Sequence, residues 1–234
     1  MRKVIITGGV RGIGRGIADA MLDAGYAVTV TGLTNEQVSQ LEPRQHLEAV
    51  QLDVTSDAQV EAFFRRIDRL DALVNCAGII IRGGEYDIDN FKQVVDVNLT
   101  GTMRMCVAAK PLLAATGDAA IVNTASMLSF FGGPQVPAYA ASKGGVAQLT
   151  KSLAVAWAGD GIRVNAIAPG WIATDLTQGL KNDEMRSSNI LARTPMKRWG
   201  EPSDIGGSVV YLCSQAARFV TGVVLPIDGG YAVM

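Results

Sequence analysis

Short apolar runs alternate with segments of helical period along the whole chain, and this alternation constrains the fold more than any other feature. The first helical segment shows the period well, because Ile13, Ile17, Met21 and Ala24 recur every three or four residues and form one apolar stripe. Strand, helix and strand in repetition predict an α/β fold with a doubly wound parallel sheet and helices on both faces. The predicted strands are 4–7, 27–31, 48–52, 72–75, 120–124, 163–167 and 223–227, and the predicted helices are 14–24, 57–66, 90–113, 137–158 and 202–213.

Length and composition favour one domain over residues 1–234. Of the 234 residues 48% are hydrophobic and 18% are charged, and no linker or charged block interrupts the pattern. Only the polar, uneven stretch 174–199 fits the alternation poorly, and we expect it to be an insertion over the sheet edge, where loops carry function. The net charge is −1 with both signs interspersed, so we expect neither nucleic acid nor membrane as a partner.

Cysteine and histidine are too sparse for a metal centre. The three cysteines lie far apart without CxxC spacing, and the chain has a single histidine, His46. The first strand-like segment begins at Lys3, so we expect no signal peptide. The sequence therefore predicts a cytoplasmic, metal-free protein.

A glycine-rich turn joins the first predicted strand to the first predicted helix. Gly8, Gly12 and Gly14 form the pattern G-x-x-x-G-x-G, which differs in spacing from the dinucleotide fingerprint G-x-G-x-x-G. Gly8 permits a sharp turn, and the other two glycines let backbone N–H groups and the helix N-terminus approach a pyrophosphate. The alternative is a tight turn without a ligand, but the strand–turn–helix context favours binding.

Two further strand ends agree with a dinucleotide site. Asp53 and Val54 follow the third strand, where a carboxylate can accept a hydrogen bond from an adenine amino group. Asn75, Ala77 and Gly78 follow the fourth strand, where small residues leave room for a ribose. Ligands of open α/β sheets lie beyond the carboxyl ends of the strands, and all three motifs fall there.

A serine, a tyrosine and a lysine stand in a spacing that suits carbonyl chemistry. Ser126 follows the fifth strand, and Tyr139 and Lys143 lie one helical turn apart at the start of the next helix. A lysine on the same face can lower the pKa of the phenol from about 10 toward neutrality, which makes the phenol a useful proton donor. Taken alone, Tyr-x-x-x-Lys usually marks a solvated helix face.

Two further sets of residues join this group. Asn98 lies inside a long predicted helix, where asparagine has poor propensity, and by itself it reads as a satisfied polar group that bonds a neighbouring helix. After the sixth strand, the segment Pro169, Gly170, Trp171, Ile172 and Thr174 can wrap a backbone turn and a hydroxyl around a nicotinamide carboxamide.

The motifs together resemble the short-chain dehydrogenase/reductase family over nearly the whole chain. The resemblance rests on TGGVRGIG, NCAG, VNLTG, S-x12-Y-x3-K, PG and the terminal DGG. It implies a Rossmann-type sheet of about seven strands, NAD(P)(H) as cofactor, a small-molecule carbonyl or alcohol substrate, and a homotetramer. Cys76 departs from the pattern, because the family more often has a second asparagine there, and we expect little effect from this small residue.

The resemblance also assigns roles residue by residue. It makes Tyr139 the general acid/base, Lys143 the group that lowers its pKa and holds the nicotinamide ribose, Ser126 the ligand of the substrate oxygen, and Asn98 the holder of a water in a proton relay. The expected cofactor contacts are Gly8, Arg11, Gly12, Ile13, Gly14, Asp53, Val54, Asn75, Ala77, Gly78, Tyr139, Lys143, Pro169, Gly170, Ile172 and Thr174.

The end of the second strand bears on the choice between NAD and NADP. An acidic residue there would bond the ribose 2′-hydroxyl and exclude a 2′-phosphate, but Gly32 occupies that place. Arg11 in the glycine loop can pair with a 2′-phosphate. Leu33 stands where many NADP enzymes of the family have an arginine, and Arg11 could instead be solvated. On balance the residues favour NADP(H).

Runs around the predicted site also resemble family members of the 2-deoxygluconate and 2-dehydro-3-deoxygluconate dehydrogenase type, which act on sugar acids. A carboxylate substrate requires a cation, for which Arg82 is the candidate, with Gln135 and Trp171 lining the pocket; Arg82 could equally be a surface charge. The alternatives are a 3-oxoacyl-(acyl-carrier-protein) reductase, which would favour a basic patch that we do not see, and a nucleotide-sensing protein without chemistry. The latter would usually lose the tyrosine or the lysine.

Overall fold

Seven parallel strands form one sheet in the computed structural model, which describes residues 1–234. Their order across the sheet is β3-β2-β1-β4-β5-β6-β7, so the chain winds outward in both directions from the middle and the predicted doubly wound architecture is confirmed. The strands are β1 (Lys3–Thr7), β2 (Ala27–Gly32), β3 (Leu47–Gln51), β4 (Ala72–Asn75), β5 (Ala119–Thr124), β6 (Ile162–Pro169) and β7 (Val224–Ile227).

Two hydrophobic layers lie on opposite faces of this sheet. Successive side chains of a strand point to opposite faces, so Ile5 joins one layer while Val4 and Ile6 join the other. Leu73 and Val74 of β4 divide in the same way. Because both faces are covered, the central strands are nearly continuous apolar runs.

Helices supply the cover on each face. They are α1 (Gly12–Asp23), α2 (Asn35–Ser39), α3 (Asp57–Phe64), α4 (Ile88–Val95), α5 (Gly101–Ala114), α6 (Pro137–Trp157), α7 (Gln178–Lys181), α8 (Glu184–Arg193) and α9 (Pro202–Cys213). Helices α1 and α9 pack together through Ile17, Met21 and Ile205 on one face. The other face is covered by α3, α5 and α6 through Val60, Met105 and Leu153. None of these helices is both long and apolar enough to span a membrane.

The helices differ from the sequence prediction in three places, one of which is the short helix α2, which was not predicted. The long helix predicted over 90–113 begins earlier, at Ile88, and is interrupted by one π-helical turn, Asp96–Thr100. The stretch 174–199, predicted as irregular, contains α7 and α8. Helix α8 is mostly polar and buries only Ile190, so few apolar positions in the sequence indicate it.

Candidate active site

A cavity of about 600 Å³ opens at the carboxyl edge of the sheet. The glycine turn after β1, the residues after β2, β3 and β4, the start of α6 and the segment 174–176 contribute to its walls. The fold therefore brings the strand-end motifs to one place, as the parallel topology predicts.

The glycine turn is shaped for close approach by a ligand. Gly8 and Gly12 have φ values of +64° and +55°, which L side chains rarely adopt. A Cβ on Gly14 would lie 2.3 Å from the carbonyl oxygen of Gly8, so only glycine allows the turn to fold back on the start of α1. Helix α1 has no side-chain cap and no acidic residue in its first turn, which leaves its N-terminal N–H groups for an anion. This cradle fits the pyrophosphate of a dinucleotide.

Other parts of the cavity fit the adenosine half. Asp53 is held by Thr55, whose backbone N–H and hydroxyl donate to one carboxylate oxygen at 2.9 and 2.7 Å. Asp53, Val54, Ala77 and Gly78 all line the cavity, as does Ile13.

Asn75 is a correction to the expected contacts. Its side chain is buried and donates to Asn123 Oδ1 at 2.9 Å and to the Cys106 sulfur at 3.2 Å, beneath the cavity instead of facing it. The amide links β4 to β5, so the asparagine supports the site from inside the sheet.

The segment after β6 contributes less than expected. Thr174 lines the cavity, but Pro169, Gly170 and Ile172 do not. Ile172 is 3% exposed and belongs to the apolar layer with α1 and α9. Gly170 is required for packing, because a Cβ there would lie 2.6 Å from Asp228.

Arg11 lies at the outer end of the cavity. Its guanidinium is 3.8 Å from a carboxylate oxygen of Asp175, and both side chains are mostly exposed. Gln37, which also lines the cavity, accepts a hydrogen bond from the Leu33 N–H at 2.9 Å. A cation and an amide thus border the place that a ribose 2′-substituent would reach.

Ser126, Tyr139 and Lys143 meet at the inner end. Helix α6 begins at Pro137, so that Tyr139 and Lys143 are one turn apart and the Lys143 Nζ lies 5.6 Å from the tyrosine ring centroid. Lys143 is buried, and its ammonium donates to the Thr124 carbonyl at 2.7 Å. Ser126 is held extended after β5 by its hydrogen bonds with Leu128 and Ser129. The predicted triad is therefore assembled from β5 and α6.

The pKa of Tyr139 differs from the sequence expectation. Desolvation raises it to about 12, and the hydrogen bond from Ser126 lowers it by less than burial raises it. Burial also lowers the pKa of Lys143 to about 8, and its ammonium donates to the Thr124 carbonyl. The phenol is thus fully protonated at neutral pH.

Asn98 lies in the π-helical turn and is fully buried. Its Oδ1 accepts from the Ile79 N–H at 2.8 Å, and its Nδ2 donates to the Ile79 carbonyl at 3.0 Å and to Ser142 Oγ at 3.1 Å. These three hydrogen bonds connect Asn98 to α6 and to the loop after β4. Single π-helical turns are common at functional sites, and this one aims Asn98 at both neighbours.

The three predicted substrate residues lie in different surroundings. Arg82 is exposed; partial burial and the neighbouring Arg186 lower its pKa, while Glu85 and Tyr139 raise it. Gln135 is exposed, and its carbonyl accepts from the Gly83 N–H at 2.9 Å. Trp171 packs edge-on against Trp199 and Tyr231, with centroids 6.0 and 6.2 Å away. None of these three residues lines the large cavity.

Known proteins resemble this chain in sequence and in fold. A sequence profile described as enoyl-(acyl carrier protein) reductase, of the short-chain dehydrogenase type, matches residues 8–232. The chain is 41% identical over 241 residues to 2-dehydro-3-deoxy-D-gluconate 5-dehydrogenase from Bacillus subtilis, covering 98% of this chain and 94% of the relative. The chain belongs to the short-chain dehydrogenase/reductase family.

Solved structures of this family agree in fold. A putative 2-deoxy-D-gluconate 3-dehydrogenase from Agrobacterium tumefaciens with bound NADP has a TM-score of 0.91 and 39% identity, with 100% of this chain and 97% of that chain covered. A gluconate 5-dehydrogenase from Burkholderia cenocepacia in complex with NADP and tartrate has a TM-score of 0.94 and 34% identity, with 100% and 96% covered. As a member of the short-chain dehydrogenase/reductase family, the protein is an NAD(P)-dependent oxidoreductase that acts on CH–OH groups.

Some residues of this short-chain dehydrogenase/reductase site were missed by sequence reasoning. Ser129 donates to the Lys143 carbonyl at 2.7 Å, and Ser142 accepts from Asn98. Glu85 is 1% exposed and accepts a hydrogen bond from the Tyr139 N–H at 2.8 Å. No motif specifies any of these three residues. Glutamate is rarely fully buried, so Glu85 stands out in the structure, but nothing in the sequence shows that it is buried.

Proposed function

We propose that the protein is an NADP(H)-dependent dehydrogenase/reductase that interconverts a ketone and a secondary alcohol of a sugar acid. The observation that carries the substrate class is the position of Arg82. Arg82 follows Ile81, whose N–H donates to the same Glu85 carboxylate as the N–H of Tyr139, so the backbone at Arg82 is tied to the turn that carries the phenol. A substrate that binds Arg82 through its carboxylate would place a carbonyl group farther along its own carbon chain at the phenol of Tyr139. The similarity to the dehydrogenases of 2-dehydro-3-deoxy-D-gluconate supports the same class.

In this proposal Tyr139 and Ser126 bind the carbonyl oxygen. Both are hydroxyl donors placed before the reaction starts, so they can stabilise the negative charge that develops on oxygen. When bound, the nicotinamide supplies or accepts the hydride. Tyr139, whose pKa is raised to about 12, remains protonated and donates its proton to the oxygen during reduction.

Lys143 and Asn98 act around this acid. The Lys143 ammonium compensates the negative charge left on the phenol and holds the nicotinamide ribose. Asn98 positions the loop after β4 against α6 through its bonds with Ile79 and Ser142, and it is the proposed holder of a relay water.

The remaining walls of the cavity hold the cofactor. The glycine turn and the N-terminus of α1 take the pyrophosphate, and Asp53, Val54, Ala77 and Gly78 take the adenosine. Thr174 holds the nicotinamide end. Arg11 binds the 2′-phosphate. Position 32 is a glycine and not an acidic residue, so no carboxylate repels that phosphate, and both features favour NADP(H) over NAD(H).

A panel of carbonyl substrates tests the proposal. NADPH oxidation is followed with 5-keto-D-gluconate, with 2-dehydro-3-deoxy-D-gluconate, with the neutral ketone cyclohexanone and with a 3-oxoacyl thioester. We expect kcat/KM for a keto acid to exceed that for cyclohexanone by at least tenfold, which corresponds to about 1.4 kcal/mol of carboxylate recognition. Arg82→Ala should remove this preference. A thioester as the best substrate would favour the acyl reductase alternative.

Two expectations of the sequence stay predictions. The family resemblance implies a homotetramer, which sedimentation equilibrium can test. The cytoplasmic location can be tested by fractionation of cells that express the protein.

A further inference from the structure

Helix α6 carries Tyr139 but has no cap of its own. The residue before its first turn is Val136, whose side chain offers no acceptor, and the first helical residue is Pro137. The N–H of Tyr139, in the first turn, has no partner within the helix. A buried N–H without a partner would loosen the turn that aims the phenol.

Glu85 supplies the missing acceptor from a distant part of the chain. One oxygen of its carboxylate accepts from the Tyr139 N–H at 2.8 Å, and the other accepts from the Ile81 N–H at 2.9 Å. The side chain is 1% exposed and stands in no ion pair, so two backbone N–H groups and the positive end of a 21-residue helix stabilise its charge.

The same carboxylate therefore joins two parts of the site. Ile81 precedes Arg82 in the loop between β4 and α4, and two other bonds tie this loop to the segment before Tyr139. The Gly83 N–H donates to the Gln135 carbonyl at 2.9 Å, and the Tyr86 hydroxyl donates to the Pro134 carbonyl at 3.0 Å. Of these ties only the Glu85 carboxylate bonds the backbone of the tyrosine itself.

We propose that Glu85 is a positioning residue that sets Tyr139 at a fixed distance from Arg82. This proposal rests on the proposed function, in which Arg82 binds the substrate carboxylate and Tyr139 meets the carbonyl. The bridge then selects keto acids by the number of carbons between their two ends. No other charged side chain bonds the first turn of α6.

Three variants and one control test the bridge. Glu85→Ala removes both acceptors, Glu85→Asp keeps the charge but is too short to reach both N–H groups, and Glu85→Gln keeps the shape but offers one oxygen for two donors. The control is Asp89→Asn, because Asp89 is an exposed acid in the first turn of α4 that pairs with Lys92. Each variant is titrated with NADPH by fluorescence, so that kcat is expressed per cofactor-competent site.

We expect Glu85→Ala to lower kcat per site at least tenfold on 5-keto-D-gluconate and about threefold on cyclohexanone, because only the acid must meet two fixed groups at once. The Kd for NADPH should stay within twofold of wild type. Glu85→Gln should give a smaller loss, because it keeps one acceptor oxygen for the two N–H groups. Asp89→Asn should behave as wild type.

A purely structural role would lower the melting temperature and the number of competent sites but leave kcat per site unchanged. This result would overturn the proposal. Equal losses on the two substrates would overturn the link to Arg82. If Glu85→Ala does not fold, the isosteric Glu85→Gln decides by the same criteria. If the wild-type enzyme does not prefer the keto acid over cyclohexanone, the proposed substrate class is refuted. The kcat values on cyclohexanone then still decide whether Glu85 positions Tyr139.

Discussion

The two ends of the cavity are built by opposite means. The cofactor end is built from glycines. Because Gly8, Gly12 and Gly14 have no side chains, their backbone can approach a ligand and the neighbouring turn closely. At the catalytic end the chain buries polar side chains, among them Lys143 and Glu85, and satisfies them with contacts from other elements. The comparison teaches that binding here depends on local backbone shape, whereas catalysis depends on long-range positioning. Substitutions at the two ends should therefore fail in different ways.

The largest effect is expected from Tyr139→Phe. Loss of the proton donor should lower kcat by about 10²–10⁴-fold, the range of general acid catalysis, while NADPH still binds. Stopped-flow turnover together with fluorescence titration measures both. Retained activity above a few percent would refute the assignment, and an equal loss of NADPH binding would break the division between the two ends.

Gly14→Ala tests the opposite end. Its Cβ would meet the Gly8 carbonyl oxygen at 2.3 Å, and overpacking of this kind costs about 1–3 kcal/mol, so NADPH affinity should fall by up to roughly a hundredfold. The kcat at saturating NADPH should change far less. The matched control is Gly207→Ala in α9, where a Cβ meets nothing within 4 Å and alanine should stabilise the helix slightly. Unchanged NADPH affinity in Gly14→Ala would refute the assignment of the glycine turn as the pyrophosphate site.

The pH dependence of reduction sharpens the description of the catalytic end. Lys143 has a pKa of about 8 and Tyr139 of about 12, so over the range 6–10 only the ammonium loses its proton. Reduction needs the charged ammonium and the protonated phenol, and kcat/KM should therefore be flat below pH 7 and fall roughly tenfold between pH 7 and pH 9. A rate that rises with pH across this range would show that the ammonium is not required.

The smallest effect is expected at Arg11. Its side chain is exposed, so a contact with the 2′-phosphate should contribute about 1 kcal/mol, and Arg11→Ala should raise the KM for NADPH about fivefold without affecting NADH. Asp175→Asn frees the arginine from its pair and should lower the KM for NADPH. Identical NADPH constants in Arg11→Ala would remove Arg11 from the cofactor site.

Much of the fold could be predicted because it is encoded locally. The alternation of apolar runs and helical periods predicted all seven strands within about three residues of their observed ends. The short helix α2, the mostly polar helix α8 and the π-helical turn at Asn98 were not predicted. Helix α2 has five residues, α8 buries a single residue, and the π-helical turn lies inside a longer helical segment, so none of them stands out as a separate apolar repeat.

The sequence by itself determined the parallel sheet, the glycine turn and the one-turn spacing of Tyr139 and Lys143, because periodicity and backbone freedom are properties of neighbouring residues. Only the tertiary structure decided that Asn75 faces inward, that burial raises the pKa of Tyr139, and that a glutamate caps α6. Glu85 and Tyr139 are 54 residues apart in the chain. Desolvation and hydrogen bonds of this kind arise only when packing brings distant segments together, and no local pattern records them.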